Sequence, residues 1–418
     1  MYNKITMTIP RGRFSHSLLD DFSYLSSLFQ KNNKITEIES FENKMADYVG
    51  SRYCISFAYA RTAFWCILKS LNVKPGDKII MPAITIKAFA DIVNSFDLKP
   101  VFVDTSTKTG SFELRSFRNA LKENPKVILM TYLFGIVPDI EAILKEINGK
   151  NIFIIEDFSQ CLDGKFNDTK VGNFGDISIL STSSVKTLDT YGGGLAFTND
   201  IKLAKDILQL QNTFNFPSRK VLLKKALIST FKNILTHRFL FGIFVYPLVF
   251  IAAFFKLKLL SNFVGKRSNV LLNELPEEWF SKLSSQQAKF GLKMLDKIEI
   301  RNKKRISIAL NYSKLSTFIG SDVGGPSFSI FWQTVFLATD VNKVRLYLAT
   351  KGIDCSRTSL VLISSLPFDN NQSEFLTPQA RLIFDKGIYF PCYHQLTKRE
   401  VKKINKNIKH LKNKKLLL

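Results

Sequence analysis

Acid is scarce in this chain. Its 418 residues carry 35 Asp and Glu against 59 Lys and Arg, a formal charge of +24. Such a balance points to an anionic partner: nucleic acid, a membrane surface or a phosphorylated substrate. Nucleic acid is set aside, because no stacking platform and no recognised motif accompanies the lysines. Cysteine is sparse too. Cys54, Cys66, Cys161, Cys355 and Cys392 are odd in number, widely spaced and free of any CxxC. That argues against a disulfide framework and for reduced thiols in a cytoplasmic protein. His16, His237, His394 and His410 lack ligand spacing, so no metal is expected. The amino-terminal MYNKITMTIPRGR has no apolar signal core, which argues against export.

Phenylalanine is plentiful, at 37 residues, and the length suits roughly two to three domains. Two stretches organise the chain: residues 151–160 (NIFIIEDFSQ) and 176–199 (DISILSTSSVKTLDTYGGGLAFTN). Each begins with a short apolar run rich in β-branched and aromatic residues, the composition of a strand buried on both faces. Polar residues follow at once: Glu156, Asp157 and Gln160 in the first, Ser181, Ser183, Ser184 and Lys186 in the second. Ligands of an open parallel sheet lie outside the carboxyl ends of its strands. An acid, several hydroxyls and one lysine therefore converge on one crevice. A desolvated lysine can lose its proton and condense with an aldehyde. An aspartate can hold a protonated pyridine nitrogen, and hydroxyls can hold a phosphate. Those are the needs of pyridoxal phosphate. Taken singly, Lys186 reads as a surface lysine and Asp157 as a helix cap. Their joint spacing, beside Tyr191-Gly192-Gly193-Gly194, favours the cofactor.

With these motifs the chain resembles the sugar aminotransferases of the DegT/DnrJ/EryC1/StrS family. The similarity continues through Phe41-Glu42-x5-Tyr48-x-Gly50, Lys74-Pro75-Gly76-Asp77-Lys78-Ile79-Ile80-x-Pro82 and Lys99-Pro100-Val101-Phe102-Val103-Asp104. It extends to Val171-Gly172-x-Phe174-Gly175-Asp176 and Gln286-Gln287-Ala288-x2-Gly291. The resemblance implies an α/β protein of the aspartate aminotransferase type (fold type I), acting as a homodimer. It implies a large domain with a mostly parallel sheet, a smaller C-terminal α+β domain and, in this chain, a hydrophobic helical insertion. It also implies that Lys186 bonds to the cofactor aldehyde and that Asp157 pairs with the pyridine nitrogen. Gln160 would contact the ring hydroxyl and Ser181 the phosphate.

Four departures from the family pattern stand out. The phosphate turn, usually Ser-Gly-Thr, reads Ala60-Arg61-Thr62, so Thr62 is expected to bind phosphate and Arg61 to replace a lost hydroxyl with charge. Ile86 stands where an aromatic usually stacks on the pyridine ring, with Phe89 nearby in sequence to compensate. Tyr132 replaces a histidine; it either hydrogen-bonds in the site or packs at a strand end. Phe280-Ser281-Lys282 occupies the place of an Asn-Tyr-Arg that reaches the partner subunit's cofactor. Elsewhere Arg11 and Arg13 could meet substrate phosphate or belong to a solvated arm, and Tyr393 and His394 could face substrate.

The expected organisation is an N-terminal arm and helices over 1–50 and a cofactor-binding domain over 51–217. A hydrophobic insertion over 218–268, connecting helices over 269–312 and a small domain over 313–418 follow. A capped helix is expected to start at Ser40, helices over 200–211 and 139–148, and a strand over 328–338. The insertion holds seventeen uncharged residues, 239–255, with Pro247 midway. Lys220, Lys224, Lys225, Lys232 and Arg238 precede it, and Lys256, Lys258, Lys266 and Arg267 follow. A spanning helix needs about 20 apolar residues, and Pro247 would kink this one. Positive flanks on both sides suit a segment dipping into the cytoplasmic leaflet. A buried helix pair, an oligomer interface and a true span are the alternatives.

The function expected is conversion of a keto-sugar, nucleotide-linked or lipid-linked, to an amino-sugar with glutamate as donor, in the biosynthesis of cell-surface polysaccharide or glycolipid. The protein is expected to be cytoplasmic and peripheral or monotopic on an anionic membrane. A sugar dehydratase of the same fold competes, although such relatives tend to replace the lysine. A degenerate membrane-bound scaffold also competes, although it would need none of Asp157, Gln160, Ser181 and Lys186.

Overall fold

The computed structural model describes residues 8–30, 34–255, 270–368 and 376–418. After helices α1 (Leu18–Ser27) and α2 (Ile35–Val49), the chain builds β1 (Tyr53–Phe57), α3 (Ala60–Ser70), β2 (Lys78–Pro82), α4 (Lys87–Ser95) and β3 (Lys99–Val103). Then come α5 (Leu114–Leu121), β4 (Val127–Thr131), α6 (Ile140–Ile147), β5 (Phe153–Asp157), β6 (Ile177–Ser181), β7 (Gly194–Thr198) and α7 (Ile201–Asn212).

The seven strands form one sheet in the order β1-β7-β6-β5-β4-β2-β3. Strands β6, β5, β4, β2 and β3 pair in parallel, and β7 alone runs antiparallel to both its neighbours. The strands are buried runs such as VILMT and ISILS, covered by helices on both faces, as a parallel sheet requires. Parallel pairing also brings the carboxyl ends of β4, β5 and β6 to one edge. The expected mostly parallel sheet is therefore present.

Several family motifs turn out to be packing devices. Phe41 is fully buried against Gly291, where a Cβ would sit 2.5 Å from its ring. Glu42 accepts the Ser56 N–H of edge strand β1 at 2.7 Å, and Gly50 ends α2 in the left-handed conformation that glycine tolerates. In the turn before β2, Asp77 accepts the Lys74 N–H at 2.7 Å.

The second half adds α8 (Arg219–Leu235), α9 (Arg238–Phe254), α10 (Ser285–Leu295) and α11 (Ile298–Ser313). A three-stranded antiparallel sheet follows, with β10 (Gly387–Phe390) between β8 (Thr334–Leu337) and β9 (Ser356–Arg357). Helices α12 (Val341–Thr350), α13 (Pro378–Lys386) and α14 (Lys398–Asn413) belong to this half.

Three local expectations are corrected. Ser40 lies inside α2, which begins five residues earlier from an uncapped Lys34. The strand foreseen over 328–338 is interrupted, because Phe331 takes φ 48° and turns the chain before β8. Pro247 does not kink the insertion. The bend, 70°, falls between α8 and α9, and Pro247 follows a π-helical turn at Phe241–Val245, a register that accommodates its missing N–H. The flanking Lys256, Lys258, Lys266 and Arg267 lie outside the described residues.

Among the described residues, the N-terminal arm packs against the rest of the chain. Arg11 pairs with Asp354 through Nε at 2.7 Å and Nη2 at 2.9 Å, which removes it from substrate binding. His16 is buried, with Nδ1 2.9 Å from Asp21 and Nε2 3.4 Å from Asp189. Asn233 of α8 donates to the same Asp21 at 2.8 Å. Burial favours neutral His16, but its hydrogen bonds to Asp189 and Asp21 win and raise its pKa to about 9. Folding therefore strengthens the proton's hold relative to the free value of 6.5. The stabilisation is complete below about 6.5 and is lost as pH rises through about 9. Thermal or urea unfolding of the wild type should accordingly lose on the order of 3 kcal/mol relative to His16→Gln between these limits. Parallel stability curves for the two proteins would refute the linkage.

Candidate active site

Asp157 is the last residue of β5, and Ser181 is the last of β6. Lys186 lies on the loop joining β6 to β7. Asp157 is buried, and its Oδ1 accepts the Ser159 N–H at 3.0 Å. Burial raises its pKa, against the Ser159 hydroxyl and the positive charge of Lys186. The same opposition acts on the amine: burial lowers the Lys186 pKa to about 8, while Asp157 resists. The Lys186 Nζ lies 4.3 Å from the centroid of the Trp332 ring. At neutral pH such an amine is in part unprotonated, which is the nucleophilic form.

Hydroxyls gather beside this pair. Ser159 Oγ accepts the Ser181 N–H at 2.9 Å, and Ser181 Oγ donates to Ser183 Oγ at 3.0 Å. Gln160 gives its amide oxygen to the Phe134 N–H at 2.8 Å, which leaves its NH2 as the donor end. Glu156 departs from the expected cluster. Successive strand residues face opposite sides, and Glu156 is buried on the far side. There it receives the N–H groups of Gly172, Phe174 and Gly175 and the hydroxyl of Tyr132. Of the two roles held open for Tyr132, packing at the strand end prevails.

The start of α3 differs from expectation. The Thr62 hydroxyl turns into the core and donates to the Trp279 carbonyl. It is thereby withdrawn from the expected phosphate role, because helical geometry points this position at the core rather than the crevice. The Arg61 guanidinium lies 4.5 Å from the centroids of both Tyr59 and Trp279. A second cation arrives from α8, with Lys225 Nζ 3.9 Å from the Tyr59 centroid. Gly194 allows β7 to meet this helix start, since a Cβ there would lie 2.1 Å from the Ala60 nitrogen.

Ile86 stands just before α4, 39 % exposed. Phe89 does not compensate for it: that ring is buried against Phe64, centroids 4.7 Å apart. Phe280 packs on Trp65 at 4.9 Å, and Ser281 and Lys282 bond through their backbones to Ala58 and Asn215, so this segment is tied into its own chain. Arg13 lies near Tyr393 and Arg238, and burial together with Arg301, Arg305, Lys304 and Arg13 pushes His394 down to about 3.

The residue set fits a ligand with an aldehyde, a basic ring nitrogen and an anionic group. Lys186 supplies a partly neutral amine, Asp157 a buried acid, and Ser181 and Arg61 hydrogen-bonding and positive charge. Trp332, Lys225, Ser159 and Asp189 were not foreseen. Trp332 carried a faint signal as one of three tryptophans; Lys225 carried none, being one lysine among many.

Comparison with known proteins bears on the same region. Residues 27–220 match the DegT/DnrJ/EryC1/StrS aminotransferase family. Over these residues the chain is similar to that family. The match takes in Asp157, Gln160, Ser181 and Lys186 and stops within the first turn of α8, so Lys225 and Trp332 lie beyond it. A GDP-perosamine synthase of Escherichia coli O157:H7 is 30 % identical over 169 residues, which are 40 % of this chain and 46 % of that protein. A UDP-2-acetamido-2-deoxy-3-oxo-D-glucuronate aminotransferase of Pseudomonas aeruginosa is 33 % identical over 175 residues, 42 % and 49 % of the two chains. The chain thus spans about half the length of the curated relatives it matches. Among solved structures, a chain described as a sugar aminotransferase from Streptococcus pneumoniae, in its PMP form, superposes with a TM-score of 0.73. It is 18 % identical, with 98 % of this chain and 100 % of that one covered. The shared fold is the aminotransferase fold type I.

The lowered amine pKa is directly measurable. In protein free of cofactor, labelling of Lys186 by a small amine-reactive reagent, followed by peptide mass spectrometry, should rise with pH to a midpoint near 8. Only the neutral amine reacts. A midpoint at the ordinary lysine value of 10.5 would show that the amine is solvated.

Proposed function

We propose that the protein is a pyridoxal-phosphate-dependent aminotransferase that converts a keto-sugar to an amino-sugar, with glutamate as donor. The observation that carries this reading is the electrostatic coupling of Lys186, its pKa lowered to about 8 by burial, to the buried Asp157 at the end of the neighbouring strand. The Streptococcus chain of the same fold has been solved in PLP and PMP forms, which supports the cofactor assignment. Both curated relatives described above are named for nucleotide-linked sugar chemistry, which supports the substrate class.

Bound at this site, pyridoxal phosphate supplies an aldehyde that takes up the donor's amino group and a ring that withdraws electrons from the carbon losing its proton. Lys186 Nζ would hold the cofactor and would serve as the general base and acid that moves the substrate's proton. Asp157 would face the ring nitrogen and favour its protonated, electron-withdrawing form. Gln160 donates its NH2 to the ring hydroxyl. Ser181 and Arg61 would bind the phosphate, and Ile86 would cover one ring face by dispersion. The exposed Ile86 and the inward-turned Thr62 also favour a second reading, a catalytically degenerate scaffold of the same fold.

We further assign the protein to an anionic membrane surface as a homodimer, acting on sugars for polysaccharide or glycolipid biosynthesis. No single helix among the described residues is long and apolar enough to cross a membrane, but the bent pair α8–α9 has the length and composition of a broken span. Many of its outward residues are apolar. Leu227, Phe231, Phe239, Phe244, Leu248, Phe254 and Phe255 are each more than half exposed. Exposed Arg219, Lys220, Lys224 and Lys232 stand among them. Apolar insertion and attraction to anionic headgroups then act together.

Two experiments test these readings. The wild type mixed with pyridoxal phosphate should develop a visible absorption band that bleaches on addition of glutamate, and Lys186→Ala should lack or alter that band. A wild type without any band at saturating cofactor would favour the scaffold. Separately, the protein should sediment with vesicles containing phosphatidylserine. The combined variant Phe231→Ser, Phe244→Ser, Leu248→Ser should stay in the supernatant while still binding cofactor. Equal sedimentation of both proteins would remove α8–α9 from the surface.

A further inference from the structure

The residue that precedes the site lysine is under backbone constraint. Val185 takes φ 68°, a left-handed conformation that a β-branched residue adopts only when its surroundings impose it. Packing of its own side chain is not the cause, for that side chain is 51 % exposed. Both of its backbone polar groups are held instead. The Val185 N–H donates to Asp189 Oδ2 at 3.1 Å, and its carbonyl accepts from Trp332 Nε1 at 3.2 Å.

Each holding residue is itself fixed. Asp189 is buried, takes the Tyr191 N–H on Oδ1 at 2.9 Å, and faces His16 Nε2 at 3.4 Å. His16 in turn meets Asp21, so one imidazolium is shared between two buried carboxylates and holds Asp189 in place. Trp332 sits on the turn before β8, which is pressed onto the main sheet. Phe331 donates its N–H to the Gly135 carbonyl at 3.0 Å, and a Cβ on Gly135 would lie 2.5 Å from the Trp332 nitrogen. The same indole that holds the Val185 carbonyl has its ring 4.3 Å from Lys186 Nζ.

We propose that Asp189 and Trp332 form a two-sided clamp on the Val185 backbone that aims Lys186, with Trp332 as a positioning residue supplied from the C-terminal half of the chain. A lysine side chain has many rotamers, and a misplacement of about 1 Å at a reacting group can cost about a hundredfold in rate. Fixing the backbone one residue before the amine, and covering the amine with the same indole, removes much of that freedom. The inference deepens the aminotransferase reading and rests on it for the use made of the aimed amine. The clamp itself is a property of the cofactor-free chain.

The test uses the full-length protein and three variants. Trp332→Phe keeps an aromatic ring over the amine and removes the indole N–H. Trp332→His restores a ring N–H donor. Val185→Gly keeps both hydrogen-bonding groups and relieves the φ constraint. Two quantities are measured: the pH midpoint of Lys186 labelling without cofactor, and the rate at which pyridoxal phosphate is captured. The expected result for Trp332→Phe is a midpoint moved upward from about 8, as Asp157 and water both gain access to a looser amine. Capture slows about tenfold with the melting temperature unchanged. Trp332→His recovers part of both. Val185→Gly captures cofactor more slowly than the wild type without losing thermal stability.

Wild-type midpoint and capture rate in Trp332→Phe would overturn the clamp. So would equal impairment of Trp332→Phe and Trp332→His, because the N–H would then not be the active element. If the wild type captures no cofactor, the aminotransferase reading fails, while the labelling midpoints still decide whether the clamp exists.

Discussion

Removing one amine from water beside one carboxylate is the constraint on which the rest of this site depends. Desolvation disfavours the charged forms of both Lys186 and Asp157, and their mutual attraction disfavours the neutral ones. Neither force can be allowed to win outright. A fully solvated lysine would stay protonated and inert, and an amine without a nearby acid would have no partner for a cationic ring. The balance is set by geometry. Parallel strands β5 and β6 end side by side, and Trp332 closes over the amine from a different part of the chain.

Much of the remaining structure serves to hold that edge still. Glu156 ties the loop before β6 to β5 through three backbone N–H groups, so it acts one residue away from Asp157 yet on the opposite face. His16, Asp21, Asp189 and Asn233 join the N-terminal arm, the lysine loop and α8 in a single buried polar network. Such a network is stabilising only when its charges are compensated, and here one protonated histidine offsets part of the charge of two carboxylates while Tyr191 and Asn233 donate hydrogen bonds to Asp21. Helix α8 has two roles as a result. One face contributes Lys225, Ser229 and Asn233 to the interior around the site, and the other presents Leu227, Ile228 and Phe231 to solvent.

Part of this was legible in residue order. A buried apolar run followed by Glu156-Asp157 and another followed by Ser181 and Lys186 predict two adjacent strands and a crevice at their ends, because strand burial and ligand position both follow from local pattern. The motifs around Phe41, Gly50 and Asp77 were legible as family marks, and the structure shows them to be contacts and turns. The roles of Thr62, Tyr132 and Phe89 could not be read. Each depends on which way a side chain points at the end of an element, and one residue of rotation moves it from crevice to core. Pro247 was misread for a related reason, since a π turn before it supplies a register that residue composition does not reveal.

Taken alone, the sequence determined that strands of this kind exist, that an aspartate and a lysine follow them, and that 239–255 is apolar among cations, because those properties are set by residues adjacent in the chain. Only the tertiary structure decided that Trp332 covers a lysine 146 positions earlier in the sequence, that His16 compensates Asp189, and that Lys225 reaches Tyr59. Those contacts form between segments brought together by burial of the whole sheet. No local spacing encodes them.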